Sequence, residues 1–239
     1  MKLAVIGDPV AHSRSPEIHT TFLREAGIVG TYEAIRVPAG TVKETVERLR
    51  AQGYVGLNVT TPLKEEAYRI CDTRDDVAAH SGSVNTMTLR PGGIAGANTD
   101  GVGAISAVES ATGTSVEKKS VLVLGVGPTA RSAAYALRSH GADVFIWNRT
   151  AERAVELAQR FDLKLWRPGV QIDVTLSTLP PQADLDEALV AAMRKAPVVI
   201  DANYGKRATL AHVLGRPTVD GEQWLLAQAR ASFAIWRRE

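Results

Sequence analysis

The run Val121-Leu122-Val123-Leu124, leading into Gly125-Val126-Gly127-Pro128-Thr129-Ala130, constrains this chain more than any other stretch. It reads as a strand entering a glycine turn of the dinucleotide-binding kind. Gly125 can take backbone angles denied to other residues, Gly127 lets the backbone approach a pyrophosphate, and Ala130 lets the following helix pack close to its strand. Phosphate would lie over that helix's N-terminus, with Thr129 in the first turn. Pro128 has no N–H to donate, yet its fixed φ suits the first turn of a helix.

Around this turn, β-like runs alternate with segments of helical period, the pattern of α/β architecture with largely parallel sheets. The alternation occurs twice. In the first set, residues 3–7, 31–37 and 54–60 read as strands, with helices near 16–26 and 42–52. Thr41 and Glu44 have the spacing of a capping box, and Val42, Val46 and Leu49 form one apolar face. Residues 84–89 and 94–98 flank Arg90-Pro91-Gly92-Gly93 as a hairpin. The second set has strand candidates at 121–124, 143–147, 173–179 and 197–201, separated by helices in Rossmann-type order. The expected division is a first domain over 1–101, joined by a helix in 222–239, and a dinucleotide-binding domain over 102–221.

Some 20 residues beyond the glycine turn, NAD-preferring folds place an acidic residue on the ribose 2′-hydroxyl. Here the strand ends in Asn148-Arg149-Thr150. Arg149 can stack on adenine and pair with a 2′-phosphate, with Thr150 and Arg153 assisting, so NADP is favoured over NAD. The plainer reading makes Thr150 the N-cap of the next helix and Arg153 a solvated charge.

Two motifs carry the chemistry. Gly56-Leu57-Asn58-Val59-Thr60-Thr61-Pro62-Leu63-Lys64 and Gly96-Ala97-Asn98-Thr99-Asp100-Gly101 set one Lys and one Asp among small hydroxyl and amide side chains, as a proton-transfer site for a polyhydroxylated substrate requires. With Thr61 as N-cap and Pro62 opening a helix, Lys64 falls in the first turn, where the helix dipole disfavours an ammonium. A carboxylate at Asp100 pushes the other way. Ser13 and Ser15 lie in the loop after the first strand, and Ser15-Pro16-Glu17 also reads as a helix start capped by Ser15. Asn58 pins the turn after its strand.

Ser13-Arg14-Ser15-Pro16, Asn58 to Lys64, Val84-Asn85-Thr86 and Asn98-Thr99-Asp100-Gly101 occur in the order and approximate spacing of the shikimate dehydrogenase family, which the chain resembles over nearly its whole length. That resemblance implies an NADP-dependent interconversion of 3-dehydroshikimate and shikimate, a step towards chorismate and the aromatic amino acids. Lys64 and Asp100 match the catalytic pair. Ser13 and Ser15 match the residues that hold the substrate carboxylate, and Thr60, Asn85 and Asp100 those that contact ring hydroxyls. Tyr204, Gly221 and Gln228 match positions that touch substrate or cofactor, and Thr178 falls among the cofactor positions. The last helix is implied to return to the first domain. The chain departs from the family at Pro128, where a glycine is usual, at Lys206, where a proline is common, and at Trp224. Trp224 stands for a Met and is expected to line the nicotinamide end of the cleft. The chain also stops at Glu239, where many members carry another helix. Quinate dehydrogenase and a ligand-binding sensor without catalysis are the rival functions.

At 239 residues with 45% apolar content, the chain can bury a full core as one or two domains. A net charge of +2 with scattered basic residues leaves no nucleic-acid or membrane footprint. The strand pattern starting at Leu3 and broken by Asp8-Pro9 is too short for a signal peptide or membrane span. A cytoplasmic protein with small-molecule partners, monomeric or homodimeric, is expected. A single Cys71 excludes an intrachain disulfide and a cysteine metal cluster, and is expected to sit in the helix after Lys64.

Overall fold

The computed structural model describes residues 1–238, which divide into two compact units. The first comprises Met1–Thr99 and the chain from Gln228 on; the second comprises Asp100–Ala227. The α/β class with two domains expected from the sequence holds.

In the first unit, β1 (Lys2–Gly7), α1 (Ser15–Glu25), β2 (Thr31–Arg36), α2 (Val42–Ala51) and β3 (Gly56–Val59) are two parallel crossovers. They are followed by α3 (Lys64–Ile70), β4 (Thr73–Arg74), α4 (Asp76–Ser81) and the hairpin β5 (Thr86–Arg90) and β6 (Gly93–Ala97). The sheet order is β2-β1-β3-β5-β6-β4, with β5 antiparallel to β3 and β6. Ala4, Ile6, Leu57, Val59 and Met87 pack with Val42, Val46 and Leu49 of α2 into one core. Each such large aliphatic side chain removed from water contributes about 1.5–3 kcal/mol.

Capping differs from the expected box. Thr41 is the N-cap of α2, but its hydroxyl donates to the Pro38 carbonyl. Glu66 takes over, accepting from the Gly40 and Val42 N–H groups at 2.8 Å each, so a carboxylate of α3 closes the N-terminus of α2. Cys71 is the C-cap of α3 in extended backbone, where the helix has ended. Burial pushes its thiol pKa up to about 12, which leaves it a small apolar residue.

The second unit opens with α5 (Asp100–Thr112) and continues as β7 (Ser120–Leu124), α6 (Pro128–Ser139), β8 (Asp143–Trp147), α7 (Ala151–Phe161), β9 (Lys164–Leu165), β10 (Val174–Ser177), α8 (Glu187–Lys195), β11 (Val198–Asp201), a 3-10 turn (Gly205–Arg207) and α9 (Leu210–Leu214). All five strands are parallel in the order β11-β10-β7-β8-β9, so the chain reverses direction across the sheet between β7 and β10. This is the doubly wound Rossmann order, whose ligand crevice lies at the carboxyl ends of the strands beside that reversal.

The last helix, α10 (Glu222–Arg237), contributes its first six residues to the second unit and the rest to the first. Trp236 anchors the latter part: its indole N–H donates to the Met87 carbonyl at 3.0 Å, and the ring fills the space left by Gly56. Among the described residues, no helix is long and apolar enough to cross a membrane.

Candidate active site

The residues singled out in the first unit gather at one end of its sheet. β1 ends at Gly7, β3 ends at Val59, and the hairpin presents Asn85 at the start of β5 and Asn98 after β6. Gly7 is what lets these loops meet: a Cβ there would lie 2.4 Å from Thr60 Cγ2. The Asp8 N–H donates to the Thr61 carbonyl at 3.1 Å and the Thr60 N–H to the Ile6 carbonyl at 2.9 Å, tying the loop after β3 to the end of β1.

Thr61 is not the N-cap expected from the sequence. The Leu63 N–H donates to the Thr60 carbonyl, closing a turn over 60–63, and α3 begins at Lys64 with Leu63 as its N-cap. Lys64 still occupies the first turn, and is only 8% exposed. Lysine is seldom so buried without a purpose that offsets the cost. Its carbonyl accepts from the Val84 N–H at 2.9 Å, which fixes the start of α3 beside Asn85.

Ser15 is not an N-cap either. It is the first residue of α1, with Arg14 in the cap position, and its N–H donates to Ser13 Oγ at 3.2 Å. Ser13 therefore holds the turn that sequence reasoning assigned to Ser15. Asn58 does not pin a turn: it lies buried in β3, accepts from the Tyr32 hydroxyl at 2.7 Å and donates to the Asn85 carbonyl at 3.1 Å. Burial raises the Tyr32 phenol well above its ordinary value, so it stays a donor. Asn98 is held by its side chain to Ser83 and by its N–H to Asp75, whose carboxyl burial pushes up. Gln228 of α10 reaches this cluster, with Oε1 3.4 Å from Asn85 Nδ2.

In the second unit, Gly125 has φ +103°, and its bare Cα faces the Thr178 hydroxyl, 2.8 Å from where a Cβ would stand. Thr178 donates to the Leu124 carbonyl from both its N–H and its hydroxyl, joining the ends of β7 and β10 at the reversal. Gly127 is the N-cap of α6 with open space around it, and Pro128 is the first helical residue as its fixed φ allows. Ala130 is fully buried. The strand-turn-helix geometry is thus kept with Pro128 in place.

Beyond β8, the Asn148 amide donates to the Thr150 carbonyl at 3.0 Å, and Arg149, Thr150 and Arg153 are exposed. Thr150 holds the N-cap position of α7 but makes no side-chain cap bond. Gly221 permits a close approach, since a Cβ would lie 2.3 Å from the Ala202 carbonyl. Tyr204, half-buried, precedes the 3-10 turn. Asp100, 5% exposed, opens α5, and its carboxylate accepts from the Thr129 hydroxyl at 3.3 Å. A residue of the glycine turn thus touches the acidic candidate.

Residues 5–87 match the family model for the shikimate dehydrogenase substrate binding domain, and residues 107–209 match the model for shikimate / quinate 5-dehydrogenase. The chain belongs to the shikimate dehydrogenase family. It is 36% identical to the shikimate dehydrogenase (NADP(+)) of Aquifex aeolicus over 97% of its own length and 89% of the relative's. The crystal structure of the A. aeolicus shikimate dehydrogenase superposes with a TM-score of 0.88 at 34% identity, covering all of this chain and 93% of that one. Shikimate 5-dehydrogenase from Thermus thermophilus, solved in complex with NADP(H) and shikimate, gives a TM-score of 0.87 at 29% identity, covering 100% and 94%.

One expectation drawn from the family fails. Trp224 does not offer its ring as a lining surface: it is 4% exposed and packed in the second unit's core. Its ring lies against Gly103 of α5, where a Cβ would come within 2.2 Å, and its N–H donates to the Asp100 carbonyl at 2.9 Å. The bulk of the indole is absorbed by the glycine.

Proposed function

We propose that this chain is an NADP-dependent shikimate dehydrogenase, interconverting 3-dehydroshikimate and shikimate on the way to chorismate. The observation that carries the reading is Lys64, a lysine held 8% exposed at the start of α3 with its main chain bonded to the Val84-Asn85 segment. A ring ketone that accepts a hydride becomes an alkoxide, and the alkoxide needs one proton from a nearby acid. Bound NADPH supplies the hydride. Lys64 gives the proton to the new hydroxyl oxygen, and takes it back in the reverse direction. Asp100 is the acidic residue of the reading and accepts from a substrate hydroxyl. Ser13 and Ser15 hold the carboxylate; Thr60, Asn85, Tyr204 and Gln228 position the ring.

On the nucleotide side, Gly125, Gly127, Pro128, Thr129, Ala130, Thr178 and Gly221 cradle the dinucleotide, and Asn148, Arg149, Thr150 and Arg153 read its 2′-phosphate. The arginine's planar fork supports that preference, because it matches a phosphate in two parallel hydrogen bonds. The protein acts in the cytoplasm as a monomer or homodimer on small molecules, without nucleic acid.

The test is cofactor reduction by the purified protein with shikimate and quinate, each against NADP and NAD. Shikimate with NADP is expected to be the fastest pair. Quinate winning would move the protein to the sister activity, and ligand binding without turnover would make it a sensor.

A further inference from the structure

Ser232 lies on α10, fully buried, and the three side chains it touches are 133 or more residues away along the chain. Its Oγ is 2.7 Å from Thr86 Oγ1 and 3.1 Å from Thr99 Oγ1, and it accepts from Asn58 Nδ2 at 3.0 Å. Both threonine hydroxyls also reach the Asn85 amide. Asn85 Nδ2 donates to Thr99 Oγ1 at 2.9 Å, and Thr86 Oγ1 donates to Asn85 Oδ1 at 2.8 Å.

Proton counting gives this circuit a direction. An amide nitrogen can only donate, an amide oxygen can only accept, and each hydroxyl has one proton. Starting from Asn85 Nδ2, the protons run to Thr99 Oγ1, from Thr99 to Ser232 Oγ, from Ser232 to Thr86 Oγ1, and from Thr86 back to Asn85 Oδ1. Every hydroxyl then donates once, in a closed ring, with Asn85 Oδ1 at 3.2 Å and Gln228 Oε1 at 3.5 Å as further acceptors within reach of Thr99. The Thr99 N–H, 2.9 Å from Asn85 Oδ1, agrees with this choice of amide end. The Ser232 hydroxyl also lies 3.0 Å from the Gln228 carbonyl one turn back, which is an alternative acceptor should the ring open.

We infer that Ser232 is a positioning residue for substrate binding: by closing this ring it adds to the Thr99 N–H in holding the Asn85 amide in one orientation, and hence sets which hydroxyl lone pairs the site accepts. The inference rests on Asn85 binding the substrate ring. A flipped or swinging Asn85 would present an oxygen where the ligand requires an N–H, and such an interaction is lost alike from ground state and transition state. The loss therefore falls on KM and spares kcat.

The test uses Ser232→Ala and, as a second break in the same ring that retains side-chain shape, Thr86→Val. Each is expected to raise the KM for shikimate about tenfold, with kcat and the KM for NADP changed by less than about twofold. The double variant should be little worse than either alone, because a ring once open cannot be opened again. Independent of turnover, the side-chain amide protons of Asn85 in the 15N-labelled free protein should exchange slowly in the wild type and rapidly in both variants. Unchanged amide exchange, or a lower Tm with an unchanged KM for shikimate, would overturn the role of Ser232. Absence of shikimate turnover by the wild type with the amide effect intact would instead overturn the functional reading, leaving the ring standing.

Discussion

At the scale of single residues, Lys64 and Arg149 are the sharpest tests. Lys64→Ala removes the proposed proton donor while leaving the substrate's other proposed contacts, so kcat should fall at least about a hundredfold with little change in KM. Steady-state kinetics on the variant would decide it, and wild-type turnover would remove Lys64 from the chemistry. Arg149→Ala should weaken NADPH about tenfold or more and NADH hardly at all, because only the former carries the 2′-phosphate that the proposal assigns to the guanidinium. Titration with both cofactors reads this directly, and equal losses would deny Arg149 the phosphate. Both residues were visible in the sequence, since each stands in a local motif. Ser232 and Gly7 were not. Their roles come from partners distant along the chain, Thr86 and Thr99 for one and Thr60 for the other, and no local pattern records such meetings. The caps misread at Thr61 and Ser15 failed for a different reason: the hydroxyl and proline signals were real, but a main-chain turn over 60–63 and the Ser13 hydroxyl, which accepts from the Ser15 N–H, shifted the first helical residue.

Among elements, the helices and strands followed from hydrophobic period, and the strand order of the second unit followed from the glycine turn. Short pieces such as β4, β9 and α9 had too few residues to show a period. The contact of α5 with the start of α10 was misjudged as a cleft lining, because bulk alone does not say which way a Trp faces. Gly103→Ala would drive a methyl group into Trp224 and should cost about 1–3 kcal/mol of stability. In the Trp224→Met background the same change should cost less, since the ring is gone and only the Trp224 main-chain carbonyl, 2.9 Å from the added Cβ, is left to meet it. Thermal unfolding of the four proteins gives the coupling, and additive losses would show that the glycine is not making room for the indole.

For the molecule as a whole, acid sensitivity should centre on His19. It is fully buried, stacked on Tyr32 with ring centroids 4.3 Å apart, and neither ring nitrogen has a hydrogen-bond partner among the described residues. Burial pulls its pKa from 6.5 to about 3, with the Asn58 side chain opposing the shift without reaching hydrogen-bond geometry. Between those values the unfolded chain binds a proton that the folded chain refuses. Stability present above pH 6.5 is therefore lost as the pH falls through that window, at up to about 1.4 kcal/mol per pH unit from this group. His19→Phe should flatten the acid side of a stability profile measured by urea unfolding between pH 7 and pH 4. A slope equal to that of the wild type would place the sensitivity elsewhere.

The division of α10 bears on how such a chain comes into being. The first unit is written in two pieces, with the whole of the second unit between them, and its sheet is covered by Trp236 of the later piece, set against Gly56 and Met87. During vectorial synthesis, the earlier piece leaves the ribosome well before the side chains that finish its core. The unit made first is the last to be sealed, and in that interval its unfilled face is what a chaperone would meet.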